Sequence, residues 1–205
     1  MKSTNVWRRM ALVAMGLVVA AGMSGCISTA HFVDGSLKDI DTSQFQKPDP
    51  LHPVQVLFNF KSKGVDNPRA TSELKARIVD QVGASGLFSA VSELPAPGGA
   101  LLTITVNNVA VDPDAMSKGV ATGLTFGLAG NVVTDGYDAT ASYTPPGASQ
   151  PIVKQVHHAI LSTVGNHAAP PNATPTANIN EAVSMMLHQV VSNLLNNVSH
   201  DASFK

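Results

Sequence analysis

The sequence predicts an α+β domain, a two-layer sandwich in which a mixed sheet of about four strands carries two helices on one face. Three observations predict it. Apolar residues alternate with period two over residues 54–61, 136–144 and 152–164, as strands with one buried face require. Apolar residues recur at helical spacing over residues 68–84 and again near the end of the chain. The first helix lies between two strand-like runs, so the element order reads β-α-β-β-β-α and implies a layer of helices on a sheet.

The first strand is carried by Val54, Val56, Phe58 and Phe60, each beside a mostly polar neighbour. Residues 63–68 then turn the chain into a helix, with Asp66 or Asn67 as N-cap and Pro68 at the first helical position, where a missing N–H is harmless. Leu74, Ile78 and Val82, with Val79 beside them, give this helix one apolar stripe, and Gly86 stops it. Residues 87–91 are a short apolar run, a strand end or a plug at the rim of the core. After the Pro- and Gly-rich residues 95–99, the run 100–111 is rich in Thr, Val, Ile and Leu and long enough for a central strand. The general rule for such connections makes this a right-handed parallel crossover.

Residues 136–144 and 152–164 read as a hairpin, with Pro145, Pro146 and Gly147 supplying the turn. Thr134, Asp135, Gly136 and Tyr137 read as the turn that starts it. Residues 167–176, with Pro170, Pro171 and Pro175, read as a loop. Asn178 caps the last helix, and Glu181 stands three residues on as in a capping box. Val183, Met186, Leu187, Val190, Val191, Leu194, Leu195 and Val198 form a broad apolar face that must be buried. The opposite side, with Ser184, Gln189, Asn193, Asn196 and Asn197, reads as solvated.

The N-terminus is a different kind of sequence. Lys2, Arg8 and Arg9 precede an apolar run from Met10 to about Ala21, and Met23, Ser24 and Gly25 lead to Cys26, the only cysteine among 205 residues. The apolar run of about 14 residues is short for a membrane span, which takes roughly 20. This pattern resembles the signal of bacterial lipoproteins, with a lipobox at residues 23–26. The resemblance implies cleavage between Gly25 and Cys26 and acylation of Cys26, by a diacylglyceryl group on sulfur and a further acyl chain on the new amine. Ile27 stands where an aspartate would retain such a protein at the inner membrane, so the implied location is the outer membrane, facing the periplasm. Several acyl chains give stable anchoring, since each buried CH₂ contributes about 0.8 kcal/mol.

Residues 1–25 would then be a signal peptide, residues 26–52 the acylated cysteine and a flexible polar tether, and residues 53–205 a single domain. Cleavage removes three of the 13 basic residues and none of the 14 acids, leaving a mildly acidic chain for which nucleic acid is a poor partner. Acylation of Cys26 leaves no thiol for a disulfide, so packing and hydrogen bonds alone must stabilise the domain.

Catalytic patterns are sparse. The sequence holds no Gly-x-Ser-x-Gly elbow, no His-Glu-x-x-His and no phosphate-binding Gly-rich loop. Asp112 and Asp114 flank Pro113, but two carboxylates are too few for a calcium cage of six to eight oxygens, and a plain turn is expected. His157 and His158 are neighbours in a strand and point to opposite faces, so they cannot share a metal. His52, His167, His188 and His200 have no metal-ligand spacing. The expectation is therefore no metal, no cofactor and no enzymatic activity.

One stretch stands apart. No charge occurs between Lys118 and Asp135, and Gly119, Gly123 and Gly127 repeat every four residues among Leu124, Phe126 and Leu128. As a helix, the glycines would permit close backbone packing; as a loop, they would supply conformational freedom. The segment would cover the open face of the sheet, dock on a partner or dip into lipid. The lipobox, the polar linker and the element order together resemble the small periplasm-facing lipoproteins of Gram-negative outer membranes, with an architecture similar to the lipopolysaccharide-assembly lipoprotein LptE. The anchor, the tether and the absence of catalytic patterns point to a non-enzymatic binding or scaffolding module of the cell envelope, which uses the exposed sheet face or residues 119–133 to engage an envelope protein or a lipid. One alternative is a ligand-binding or enzymatic protein with a pocket between sheet and helices around Asp135, Asp138 and His157; another is a ligand- or lipid-binding auxiliary subunit of an envelope transport system, which would have an open apolar groove.

Overall fold

The computed structural model describes residues 29–110, 132–165 and 169–204. The chain runs β1 (Thr29–Val33), β2 (Pro53–Ser62), β3 (Val65–Asp66), α1 (Pro68–Ala84), β4 (Ala90–Ser92), β5 (Ala100–Ala110), β6 (Val132–Thr144), β7 (Ile152–Val164), β8 (Thr174–Thr176) and α2 (Ile179–Ser199). The strands form one eight-stranded sheet in the order β3-β2-β5-β6-β7-β1-β8, with β4 also beside β2. The fold is the expected mixed α+β arrangement with two helices, but the sheet is twice as wide as the predicted four strands. The added strands are five residues or fewer, too short for a period-two pattern to register.

The sheet is mixed because α1 intervenes between β2 and β5. Those strands run parallel, Val54 opposite Ala100 through Ser62 opposite Asn108. The pairs β5–β6, β6–β7, β7–β1 and β1–β8 are antiparallel. α1 starts as the sequence requires, with Asn67 Oδ1 accepting the Ala70 N–H at 3.1 Å and proline in the first turn. Gly86 follows its end at φ +68°, a left-handed conformation that a β-carbon would strain. At α2, Asn178 Oδ1 accepts the Glu181 N–H, while Glu181 Oε2 reaches back to the N–H of Ala177, one residue before the cap.

One continuous core lies between the sheet and both helices. It takes Val56 and Phe58 from β2, Leu102 and Ile104 from β5, Ala141 and Tyr143 from β6, and Val156 and Ile160 from β7. α1 contributes Ile78 and Val82; α2 contributes Met186, Val190, Leu194 and Val198. At one end Tyr143, Phe88 and Phe204 pack as an aromatic cluster, the Tyr143 and Phe204 rings 5.0 Å apart. Burial pushes the Tyr143 phenol up to about 12.

Four expectations are corrected. Residues 29–52 are not a flexible tether. β1 sits inside the sheet between β7 and β8 with Val33 buried, and Phe45 enters the core. The supposedly solvated side of α2 holds this segment down. Ser192 Oγ accepts the Ile40 N–H, Ser199 Oγ accepts the Gln46 N–H, Asn193 Nδ2 donates to the Lys38 carbonyl, and His188 meets Asp39 at 2.7 Å. The segment buries few apolar side chains and is fixed by polar contacts instead, which periodicity does not reveal. Residues 134–137 are not a turn, because β6 already runs from Val132 and Asp135 pairs with Ile160. The expected loop 167–176 contains β8.

Phe45→Ala is expected to lower stability by about 3–5 kcal/mol in urea unfolding, the range for removing a buried aromatic ring. A loss below about 0.5 kcal/mol, as at an ordinary surface position, would return residues 29–52 to the status of a tether.

Candidate functional site

Both helices cover one face of the sheet, so the other face is the broadest surface the fold presents. Continuous register across four strands sets its side chains in rungs. One rung is Lys61, Asn107, Asp138 and His157; the next is Asn59, Thr105, Thr140 and Gln155; a third is Leu57, Thr103, Ser142 and Val153. The first two rungs consist of hydrogen-bonding side chains. The third carries the exposed apolar residues Leu57 and Val153.

Several of these groups are held in place. His157 Nδ1 and Asp138 Oδ1 are 2.6 Å apart, and both side chains are about half exposed. Asn107 Oδ1 accepts the Gly64 N–H at 2.9 Å. Asn59 Nδ2 donates to Asp66 Oδ1, with Lys61 Nζ 3.5 Å away, and these two contacts hold the Asp66 carboxyl below the usual carboxylate range. The Asp138–His157 pair fixes the imidazole orientation. No hydroxyl hydrogen-bonds to His157 among the described residues, so the pair lacks the third group of a nucleophile-base arrangement. What the surface does offer is a flat array of donors and acceptors for a polar partner.

Toward the end of the sheet where β5 stops and β6 starts, the same face turns apolar. Phe32, Ala159, Leu161 and Thr163 lie on it and are buried, although neither helix covers that side. Val133 and Val164 are exposed at this end.

A second concavity opens at the β1–β8 edge, a cleft of about 570 Å³ lined by Gly35, Ser36, Leu37, Lys38, Asn172, Thr174 and Gln189. Its walls meet because residue 35 is glycine: a β-carbon there would stand 1.8 Å from the Asn172 carbonyl oxygen. Behind it, Gln189 Oε1 accepts from His158 Nε2 at 2.7 Å. His158 is buried, and its Nδ1 has no partner among the described residues. Burial therefore holds the His158 imidazole below its ordinary range, opposed by the Gln189 bond and by Asp34 and Asp39.

The expected pocket around Asp135, Asp138 and His157 is corrected. Asp138 and His157 meet on the helix-free face, Asp135 lies on the other side of the sheet, and none of the three lines the cleft. His157 and His158 do point to opposite faces, one exposed and one buried. Gly25, Cys26, Asp112, Asp114, Gly119, Gly123, Leu124, Phe126, Gly127 and Leu128 lie outside the described residues. The sequence reading missed the His158–Gln189 contact and the cleft, which depend on α2 meeting β7 and on β1 meeting β8, pairings without a local signal. Among the described residues no cluster of His, Cys, Asp and Glu has a metal-site arrangement, and no helix is long and apolar enough to cross a membrane.

No family model and no curated protein matches the chain. Among solved structures, a minor lipoprotein from Acinetobacter baumannii is 11% identical, covering 73% of this chain and 90% of its own, with a TM-score of 0.34. A PelC dodecamer from Paraburkholderia phytofirmans is 12% identical over 83% of this chain and 95% of its own, at 0.32. A putative neuraminyllactose-binding hemagglutinin homolog from Helicobacter pylori is 13% identical over 78% and 89%, at 0.38. At these identities and TM-scores the likenesses carry no argument about function.

His158 gives a signed pH dependence. Its folded-state pKa lies below the model-peptide value of 6.5, so the unfolded chain binds this proton more tightly. Its contribution to stability is complete above about pH 6.5 and declines as pH falls through the folded value. Urea midpoints between pH 7.5 and 5 should fall in the wild type, and His158→Leu should flatten that slope while lowering stability at pH 7.5. An unchanged slope in the variant would assign the acid sensitivity elsewhere.

Proposed function

We propose that this chain is a lipoprotein of the outer membrane, acylated at Cys26 after cleavage behind Gly25, that acts as a non-enzymatic binding module in the periplasm. Its helix-free sheet face would engage an envelope protein. The observation that carries the reading is the polar ladder of that face: four strands present register-matched Lys, Asn, Asp, His and Thr side chains on the face opposite both described helices. The lipobox pattern supports the location.

The fold alters the geometry of anchoring. β1 begins at Thr29, so only Ile27 and Ser28 separate it from Cys26, a reach of about 10 Å for three extended steps. The rim where Thr29 pairs with Val164 would then lie at the lipid headgroups, with Val133 and Val164 beside it. The ladder would stand upright from the membrane, accessible from the periplasm. A second reading, a ligand- or lipid-binding subunit of an envelope transport system, is favoured by the cleft beside Lys38 and Gln189.

Two measurements test the proposal. Cys26→Ala should move the protein from the membrane fraction to the soluble fraction, and mass spectrometry of the mature chain should find an acylated N-terminal cysteine. An unmodified Cys26 would overturn the location. A photoreactive side chain at Thr105 or Leu57, used in intact cells, should trap one discrete envelope protein, whereas the same group at Glu73 on α1 should not. Equal trapping from both faces would remove the ladder as the binding surface, and ligand protection confined to Lys38 would favour the cleft.

A further inference from the structure

β7 is longer than the strand beside it. β1 pairs only with Ile160 to Val164, and the Asp34 N–H extends the contact by one bond, to the Ala159 carbonyl at 3.1 Å. From there back to Ile152, β7 has β6 on one side and, among the described residues, no strand on the other. Backbone groups in an antiparallel ladder turn to alternate neighbours residue by residue. The Asp34 bond identifies the odd-numbered residues as those facing away from β6. Val153, Gln155 and His157 thus present N–H and C=O groups along an open edge, and none of these groups has a hydrogen-bond partner among the described residues. The nearby residues 38–46 are tied to α2, in the helix layer.

The other edges are covered over part of their length. At the far side, β3 and β4 cover the two ends of β2, and between them Thr71 Oγ1 and the Asn67 N–H satisfy the backbone of Phe60. At the near side, β8 covers β1 and contains Pro175, which cannot donate to a further strand. Such devices protect edges from unplanned pairing. The free stretch of β7 has none of them.

We propose that a second copy of this chain pairs with this edge, antiparallel, about a two-fold axis at Gln155. Pro151 has no N–H to offer and the Ala159 carbonyl is already bonded to Asp34, so the free groups run from residue 153 to 157 with Gln155 at their centre. A two-fold there sets Gln155 opposite Gln155 and Val153 opposite His157, and each pair exchanges two hydrogen bonds. Every free group is used, and a shift of two residues would bring one of them against the occupied Ala159 carbonyl. Side chains agree with this register: Lys154 faces Val156 of the other copy, so no like charges are opposed, and the exposed Val153 is covered by His157. The contact is isologous and closes at two copies.

Hydrogen-bonded antiparallel pairs hold their Cα atoms about 5.5 Å apart, within the usual disulfide range of about 5.5–6 Å. Full-length Gln155→Cys, oxidised in intact cells, should therefore give a reducible band at twice the monomer mass, absent from the wild type. Leu57→Cys, exposed on the same face but three strands away, should remain monomeric. In detergent, the otherwise unmodified full-length protein should sediment as two copies, and Val153→Lys should shift it to one while its circular-dichroism spectrum stays that of the folded chain. A monomer at all concentrations, equal crosslinking at Leu57→Cys, or a Gln155→Cys adduct only to a different protein would each overturn the proposal.

Discussion

The burial of α2 is the constraint on which the rest of the structure depends. Its apolar face spans Ala182 to Val198 and has to be removed from water, and the only surface broad enough is that made by β7, β6 and β1 together. β1 must therefore travel from the start of the chain to the far side of β7. Once there it is followed by residues 34–46, which bind the polar flank of the same helix. With α1 packed next to α2 on the same side, all large apolar side chains of the helices are directed one way. The opposite face of the sheet is left to hydrogen-bonding residues, and that asymmetry gives the molecule its candidate binding surface.

How much of this was legible in the sequence depended on whether the signal was local. The starts of α1 and α2 could be read closely, because Asn67, Pro68 and Asn178 act on the backbone within one turn of themselves. β2 and the β6–β7 pair could be read from sustained alternation, and β5 from a long run of Thr, Val, Ile and Leu. β1, β4 and β8 could not. Each is defined by a neighbour distant in the chain, and a five-residue run such as Thr29–Val33 contains too few positions to separate a strand from a polar linker. Gln189 and Asn193 were misread for the same reason: a polar residue on a helix surface has the same appearance whether it meets water or a backbone carbonyl.

The candidate site divides along similar lines. The Asp138–His157 pair was open to inference only as two polar residues on strands; that they face one another follows from register, which neither strand encodes alone. His158, one residue on, illustrates how sharply the pleat separates roles. Its neighbour is a half-exposed member of the polar ladder, whereas His158 is enclosed against Gln189 and kept neutral by its surroundings. A shift of one residue in β7 would exchange the two, breaking the Asp138–His157 pair and turning His158 away from Gln189. The hydrophobic pattern of β7 thus fixes the chemistry of both faces through a single choice of register.

The position of β1 also has a consequence in time. Its partners are residues 160–164 and 174–176, well over a hundred positions later in the chain, and His31 closes on Ser162 across 131 residues. Neither the sheet nor the floor beneath α2 can be completed while synthesis is under way, because the strand made first has nothing to pair with until the last quarter of the chain exists. Such long-range closure slows folding. A polypeptide organised in this manner stays without its finished sheet until nearly all of it has been synthesised.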